Sequence, residues 1–239
     1  MIKKSGNLSL IIPCYNEEDN LPLLFKKLME IQNKCHEIIL VDNGSTDNTL
    51  KIIERFVKTN GPPLKLLKIR TNIGYGHGIM SGVRKASGQI IAWTHADLQT
   101  DPKDVINAYD LFLRTKLNHK FVLKGKRKKR NLFDNLFTCL MSIISSITFK
   151  VKLSDINAQP KMFTREFFEN ISNAPNDFSL DLFFLVQAIE KNYDILEFPV
   201  IFNSRRYGIP KGGGSILGKI KLTLRTLSYI YKLRFSLRR

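Results

Sequence analysis

Ile90-Ile91-Ala92-Trp93-Thr94-His95-Ala96-Asp97-Leu98-Gln99-Thr100-Asp101-Pro102 joins an apolar run to three possible metal ligands at alternate positions. The apolar part predicts a buried strand, and the proline predicts the first turn of a helix. Because alternate side chains of an extended segment point the same way, we expect His95, Asp97 and Gln99 to face one ligand. Imidazole, carboxylate and amide oxygen can all bind a divalent cation, which a diphosphate needs. The competing interpretation is a polar loop in which Asp101 caps the following helix.

Three further apolar segments precede this stretch, each followed by a polar loop and a helical pattern. The predicted strands are 8–13, 38–41, 64–69 and 90–93, and the predicted helices are 21–33, one capped by Ser45 or Thr46, and 79–85. This alternation predicts an α/β fold with a mostly parallel sheet and helices on both faces. Ligands of such sheets bind beyond the carboxyl ends of the strands, so the loops there are expected to share one edge.

The composition is that of a globular and strongly basic protein. Of 239 residues, 43% are hydrophobic, which allows a sizeable core, and we find neither a signal peptide nor an apolar stretch long enough to span a membrane. A net charge of +17 predicts an anionic partner: nucleic acid, an anionic membrane surface or phosphorylated substrates. The scattered Cys14, Cys35 and Cys139 are interpreted as reduced thiols of a cytoplasmic protein.

Ordered motifs along most of the chain resemble family 2 glycosyltransferases of the GT-A fold. The first motifs are Pro13-Cys14-Tyr15-Asn16-Glu17, Val41-Asp42-Asn43-Gly44-Ser45-Thr46-Asp47-Asn48-Thr49 and Ala96-Asp97-Leu98-Gln99. The later ones are Gly125-Lys126-Arg127, Leu153-Ser154-Asp155, Phe178-Ser179-Leu180-Asp181, Glu197-Phe198-Pro199-Val200 and Arg205-Arg206-Tyr207-Gly208-Ile209-Pro210-Lys211. The branch that this order resembles most is the polyprenyl-phosphate sugar transferases, typified by dolichyl-phosphate mannosyltransferase. The resemblance implies a Rossmann-like GT-A domain and an inverting transfer from a nucleotide sugar.

The resemblance also implies a set of donor-binding residues. The implied nucleotide-sugar contacts are Pro13, Tyr15, Glu17, Val41, Asp42, Asn43, His95, Ala96, Asp97, Arg127, Arg205 and Lys211. The implied metal is Mg²⁺ or Mn²⁺, held by Asp97 with Gln99 and His95. Three positions depart from the family pattern. Asn43 and His95 each stand where relatives carry Asp, and Pro210 stands where they carry Ser, which removes a backbone donor. His95 could ligate Mn²⁺, contact a phosphate or only fill space, and imidazole shifts the expectation slightly towards Mn²⁺.

The expected catalytic residues are Asp97, Arg127 and Asp155. Charge develops on the departing nucleotide, and fixed cations stabilise it; a guanidinium such as that of Arg127 grips phosphate in a bidentate manner. A lipid-phosphate acceptor is already anionic and needs no base, whereas a hydroxyl acceptor would need a carboxylate, for which Asp155 is the candidate. Gln159 and Lys161 are expected to line the acceptor side.

Several function classes stay open at this point. A donor linked to GDP or UDP and a polyprenyl-phosphate acceptor form the leading interpretation. A transferase for saccharide hydroxyls and a non-catalytic, basic nucleotide- or nucleic-acid-binding protein are the alternatives. A nucleic-acid module would leave Asp42, Asp97 and Asp155 unexplained, so we expect no nucleic-acid partner. The chain lacks the Gln-x-x-Arg-Trp signature of processive family members.

Two amphipathic segments predict contact with an anionic membrane. Residues 132–149 are apolar and follow the basic run 124–130, and residues 216–239 carry a stripe of Leu217, Ile220, Leu224, Leu227 and Tyr231 among many cations. The alternatives are a core helix and a subunit contact. We therefore expect a GT-A domain over 1–211, divided into a donor half (1–123) and an acceptor half (124–211), and a basic tail over 212–239. The expected location is cytoplasmic, peripheral on the inner face of the membrane.

Overall fold

A seven-stranded sheet forms the centre of the protein in the computed structural model, which describes residues 7–115, 120–128, 142–207 and 216–236. The strands are β1 (Leu8–Cys14), β2 (Glu37–Asn43), β3 (Leu64–Ile69), β4 (Ile90–Trp93), β5 (Phe121–Lys128), β6 (Lys161–Thr164) and β7 (Asp194–Ile201). Their order is β3-β2-β1-β4-β6-β5-β7. Only β6 runs antiparallel to its neighbours, β4 and β5. The predicted α/β fold with a mostly parallel sheet is confirmed.

The helices occur largely where the apolar periodicity predicts them. They are α1 (Leu21–Ile31), α2 (Thr49–Asn60), α3 (Tyr75–Lys85), α4 (Lys103–Arg114), α5 (142–149), α6 (Arg165–Glu169), α7 (Leu180–Glu190) and α8 (Ile216–Ser236). The prediction for α2 was wrong at its start, because the preceding residue is Asn48 rather than Ser45 or Thr46. The α3 helix begins at Tyr75, four residues earlier than expected, so its first turn contains Gly76 and Gly78.

Each face of the sheet carries its own hydrophobic core, as predicted for helices on both faces. Leu10 and Ile12 of β1 pack into the core formed with α1, α2 and α4. Ile11, between them, packs into the core formed with α3, α7 and α8. The alternation follows from the two-residue period of a strand. Both faces are therefore closed, and the edge at the carboxyl ends of the strands is where the predicted site residues lie.

The α8 helix packs against the second of these cores. Ile230 and Leu233 are buried in it, and Arg225 Nε lies 3.1 Å from Asp177 Oδ2. The predicted apolar stripe of α8 was wrong in part, because Leu224 and Tyr231 are exposed while Leu227 packs inward. The side chains of the other two predicted stripe residues, Leu217 and Ile220, are outside the described part of α8. Among the helices that the structure describes, none combines the length and hydropathy of a membrane-spanning segment.

A buried carboxylate holds the amino-terminal ends of the first three strands together. Glu37 is fully buried and accepts hydrogen bonds from Ser9 Oγ at 2.6 Å, from Ser87 N at 2.6 Å and from Lys65 Nζ at 2.5 Å. Burial raises the pKa of Glu37, but the Lys65 ammonium and the other donors outweigh it and lower the pKa to about 2. The charged carboxylate is therefore the form that stabilises the fold.

Glu37→Gln should remove this stabilisation and its dependence on pH. A depressed folded-state pKa contributes stability that is present above the unfolded value of 4.5 and is lost as the pH falls towards about 2. At pH 7 we expect the variant to unfold with about 2 kcal/mol less free energy. Urea denaturation at several pH values measures this. An unchanged decline in the variant's stability between pH 4.5 and 2 would contradict the assignment.

Candidate active site

The loops that follow β1 and β2 are fastened to each other at the carboxyl edge of the sheet. Cys14, the last residue of β1, is in register with Asp42 of β2. Asn16 N donates to Ser45 Oγ at 3.1 Å, and Thr46 N donates to Asn16 Oδ1 at 2.8 Å. These bonds explain why neither Ser45 nor Thr46 caps α2, since both serve the contact between the loops. The edge predicted from the strand pattern is thus a fixed platform.

An ion-pair cluster built on one buried carboxylate joins three of these loops. Asp97, which is 4% exposed, lies after β4, and its Oδ2 is 2.5 Å from Nη2 of Arg205, a residue that follows β7. The other terminal nitrogen of Arg205 is 3.8 Å from Oε1 of Glu17, after β1. Nε of Arg205 is buried and has no hydrogen-bond partner among the described residues. The structure thus brings together three predicted donor-site residues that lie far apart in sequence.

The predicted alignment of His95, Asp97 and Gln99 on one extended segment was wrong. Leu98 has a positive φ of 58°, which turns the chain, and Gln99 N donates to Asp97 Oδ1 at 3.1 Å. The Gln99 amide points to the backbone oxygen of Asn203 at 3.4 Å, while the His95 ring stacks on Tyr75 with centroids 5.7 Å apart. The segment is a turn closed by Asp97, so the period of an extended strand does not apply to it.

The residues around Asp97 fit a divalent cation that is shared with a ligand rather than enclosed by protein. Within the described parts of the chain, no three His, Cys, Asp or Glu residues form a group able to hold a metal. One carboxylate supplemented by phosphate oxygens and water is nonetheless a common set for Mg²⁺ in nucleotide sites. Asp97 provides that carboxylate. Whether Gln99 and His95 also ligate stays a prediction.

The second strand contributes two buried polar side chains. Asp42 Oδ1 accepts from Ser45 N at 3.4 Å, and Asn43 Nδ2 donates to the carbonyl oxygen of Gly74 at 3.0 Å. Asn43 Oδ1 is buried without a partner among the described residues, which is expensive unless a ligand donates to it. Of the other implied contacts, Val41 and Ala96 lie inside the two cores and can offer a ligand only backbone atoms.

Negative charge gathers around these strand ends. Burial raises the pKa of the Cys14 thiol well above its usual value, and the Glu17 and Asp42 carboxylates raise it further. For His95, burial lowers the pKa, because it disfavours the charged imidazolium; the Asp97 and Asp181 carboxylates act in the opposite direction. Cys14 and Cys35 are both buried free thiols. The acidic groups thus form a local exception in a chain whose net charge is +17.

On the predicted acceptor side, Arg127 and Asp155 form an ion pair. Arg127 donates from its backbone N to Asp155 Oδ2 at 2.7 Å and from Nε to Oδ1 at 2.8 Å, and its Nη2 also bonds Oδ1. The guanidinium lies over the ring of Phe202, 5.0 Å from the centroid. Both side chains are largely buried, so Asp155 fixes where Arg127 can point. Lys211, the remaining predicted cation, lies outside the described residues.

Sequence reasoning missed two side chains of the site and misplaced a third. Tyr75 packs between His95 and Phe178, and Asp181 accepts hydrogen bonds from Tyr75, Gln159 and Lys161. Lys161 was expected to line the acceptor side, but it is fully buried below it. Asp181 ends the motif Phe178-Ser179-Leu180-Asp181, which carried the resemblance without an assigned role. Tyr75 had no signal beyond the glycines around it.

The architecture and this edge define the class of the protein: it has the GT-A fold. A solved structure of similar architecture is glucosyl-3-phosphoglycerate synthase from Mycobacterium tuberculosis, in complex with Mn²⁺, uridine diphosphate and glucosyl-3-phosphoglycerate, with a TM-score of 0.74 at 15% identity over 97% of this chain and 80% of that one. Another is a mannosyltransferase from Pyrobaculum calidifontis in complex with GDP-mannose and Mn²⁺, with a TM-score of 0.63 at 19% identity over 88% of this chain and 59% of that one.

Sequence comparison defines the family. Residues 9–142 match the family described as glycosyl transferase family 2, and the chain belongs to it. The dodecaprenyl-phosphate galacturonate synthase of Rhizobium johnstonii is 30% identical over 244 residues, covering 98% of this chain and 70% of the relative. The undecaprenyl-phosphate 4-deoxy-4-formamido-L-arabinose transferase of Proteus mirabilis is 32% identical over 106 residues, covering 43% of this chain and 32% of the relative. The family predicted from the ordered motifs is confirmed.

Proposed function

We propose that the protein moves a sugar, with inversion, from a GDP- or UDP-linked donor to a polyprenyl-phosphate acceptor at a membrane surface. The observation that carries the proposal is the cluster of Asp97, Arg205 and Glu17 at the carboxyl edge of the sheet, with the pair Arg127–Asp155 on the acceptor side. The curated relatives support the choice of acceptor, because both are named for transfer to polyprenyl phosphates.

The donor side is proposed to bind the nucleotide diphosphate through one carboxylate and one guanidinium. Asp97, with Gln99 and His95 as further ligands, would hold Mg²⁺ or Mn²⁺, and the cation would supply positive charge to the departing diphosphate. The structural neighbours bound to Mn²⁺ and a nucleotide support that cofactor. Arg205 presents its guanidinium beside Asp97 and can contact phosphate oxygens. Asn43 Oδ1 is free to accept a hydrogen bond from the base or ribose.

The acceptor side favours an anionic acceptor over a hydroxyl. A general base needs a carboxylate that can take a proton, but both oxygens of Asp155 accept hydrogen bonds from Arg127. The pair instead holds a guanidinium in place, and that group suits a phosphate. A phosphate oxygen attacks the sugar carbon as an anion, so no proton has to be removed. Asp155 is therefore proposed to act by placing Arg127.

The test is transfer of labelled sugar into an organic phase. Purified protein is incubated with labelled nucleotide sugars, Mn²⁺ or Mg²⁺ and a short polyprenyl phosphate, and the lipid is then extracted. We expect label in the lipid only when the phosphate is present, with the unphosphorylated polyprenol as the matched control. If the label enters free saccharides instead, the acceptor is a hydroxyl group and the proposed phosphate acceptor is wrong. No transfer from any donor would reject the proposal.

An exposed apolar surface supports docking to a membrane. Helices α5 and α8 border a groove of 360 Å³ lined by Ile144, Thr148, Leu227, Ile230, Tyr231, Arg234 and Phe235. Ile147 beside it is 73% exposed, and Tyr231 is 68% exposed. Segments 142–154 and 216–236 contain no acidic residue but several cations, of which Arg225 pairs with Asp177 from outside them. An apolar strip flanked by cations suits an anionic lipid surface.

This surface is connected to the acceptor side through α5. Ser146 Oγ, in α5, accepts a hydrogen bond from Leu153 N at 2.9 Å, and Leu153 lies two residues before Asp155. We therefore propose that the tail (212–239) and α5 hold the GT-A domain (1–211) against the inner, cytoplasmic leaflet, so that a lipid phosphate enters beside Arg127. Residues 132–141 of the predicted apolar segment lie outside the described residues.

Two charged substitutions should weaken binding to anionic vesicles. Ile147→Glu combined with Tyr231→Glu places negative charge on the exposed apolar strip, and we expect about tenfold weaker binding or more. Met29→Glu, on the exposed side of α1, is the matched control and should bind like the unmodified protein. Co-sedimentation with phosphatidylglycerol vesicles and with phosphatidylcholine vesicles measures both. Equal binding of the double variant and the control would show that the apolar strip does not contact the vesicles.

A further inference from the structure

A buried charged cluster lies beneath the site and is not used by the chemistry proposed above. It consists of Tyr75, Gln159, Lys161 and Asp181, and we refer to it as the Asp181 cluster. Lys161 Nζ lies 2.8 Å from Asp181 Oδ1, and Gln159 Nε2 donates to the same oxygen at 2.9 Å. Tyr75 Oη donates to Asp181 Oδ2 at 3.2 Å. Asp181 and Lys161 are both essentially excluded from solvent.

The cluster contacts both sides of the site. On the donor side, the Tyr75 ring lies between His95 and Phe178, with centroid distances of 5.7 Å and 4.9 Å. On the acceptor side, Lys161 donates to the carbonyl oxygens of Ile156 and Ala158, both at 2.8 Å. These two carbonyls belong to the segment 155–160, whose first residue is Asp155, the partner of Arg127. One carboxylate therefore holds parts of both half-sites.

Stability alone does not explain a charged pair at this place. A buried ion pair contributes little net stability compared with well-packed apolar residues, because desolvation offsets the attraction between the charges. The surrounding core is rich in Phe and Leu side chains that could fill the same volume. Unlike apolar groups, the charged groups make directional contacts. Lys161 donates three hydrogen bonds and Asp181 accepts three, and the bond between the two residues is counted in both sets.

We propose that Asp181 is a positioning residue for sugar transfer. It orients Tyr75 against His95 on the donor side, and it acts through Lys161 and Gln159 to hold the 155–160 segment that places Arg127 on the acceptor side. Transfer requires the donor diphosphate and the acceptor phosphate to be held at the same time in one geometry. The inference rests on the proposed transferase function, since it concerns the same site.

Tyr75→Phe is the most selective variant, because it deletes only the hydroxyl between Asp181 and Gln159 and keeps the ring between His95 and Phe178. We expect kcat to fall by about tenfold or more with the donor KM nearly unchanged. Amide hydrogen exchange should become faster in segments 93–97 and 155–160 and stay unchanged elsewhere. Tyr109→Phe, a buried tyrosine in the opposite core, is the matched control and should leave all three quantities unchanged.

The outcomes separate this inference from the proposed function. A local rise in exchange together with a fall in kcat supports the positioning role. An unchanged kcat overturns the positioning role. A purely structural role is indicated instead if exchange rises over the whole chain while the donor KM rises and the melting temperature falls. If the unmodified protein transfers no sugar from any donor, the proposed function fails, and the exchange measurement alone decides whether the cluster holds the two segments.

Discussion

Asp97→Asn is expected to lower the rate of sugar transfer by about 100- to 1,000-fold, the range found when a charged or polar group that stabilises a developing anion is removed. Asp97 is the buried carboxylate that the site offers to a divalent cation, and its Oδ2 is also the partner of Arg205 at 2.5 Å. The amide keeps the size of the side chain and the acceptor for Gln99 N, but it loses the charge that both the cation and the guanidinium need. Initial rates of label transfer at saturating donor measure the effect.

Asp101→Asn is the matched control for that experiment. Asp101 lies four residues further along the same loop, where it accepts from Lys103 N at 2.9 Å and pairs with Lys27 at the surface. Asparagine retains the acceptor for Lys103 N at the start of α4, so activity should stay within about twofold of the unmodified protein. Thermal unfolding of both variants checks that the fold is intact. If Asp97→Asn retained full activity, Asp97 would have no role in binding the donor.

Lys161→Met should destabilise the fold by about 3–5 kcal/mol, which is the range seen when one partner of a buried ion pair is removed. The substitution leaves the Asp181 carboxylate charged, buried and without its ammonium, although Gln159 and Tyr75 still donate to it. Burial lowers the pKa of Lys161, and the Asp181 carboxylate offsets part of that shift. Urea denaturation at pH 7 measures the loss of unfolding free energy.

The double variant Lys161→Met/Asp181→Leu separates stability from position. It removes both charges and replaces them with apolar groups, so most of the lost stability should return. Activity should not return with it, because the bonds to Ile156, Ala158 and Tyr75 are gone. A double variant as unstable as Lys161→Met would show that the site cannot accept apolar packing. One that regained both stability and activity would show that the charges have no positioning role.

The sequence was sufficient for the fold class and for the first four strands because the signals for them are local. Continuous apolar runs indicate buried strands, and apolar residues spaced three or four apart indicate helices; both patterns involve only neighbours in the chain. The third and fourth strands begin and end at the predicted residues. The errors occurred at helix starts, where side chains had partners outside the helix. Ser45 and Thr46 bind the loop after β1 and therefore do not cap α2.

Within the site, the sequence predicted which residues matter better than it predicted what they touch. Asp97 and Arg205 were both selected by motif, but 108 residues separate them, and no local pattern indicates that they form an ion pair. The same is true of Arg127 and Asp155, whose pairing underlies our proposal that Asp155 fixes a guanidinium instead of acting as a base. The positive φ of Leu98 also could not be read from the alternation of polar residues.

The sequence by itself therefore determined the α/β sheet, the edge at which its polar loops meet and the family, because hydrophobic periodicity and ordered motifs are properties of the chain. Only the tertiary structure decided that Lys161 is buried beneath the site, that Asp181 and Tyr75 belong to it, and which face of α8 is exposed. The physical reason is that burial and charge pairing depend on contacts between segments distant in sequence. The same side chain can line a pocket or support it from below, according to what packs against it.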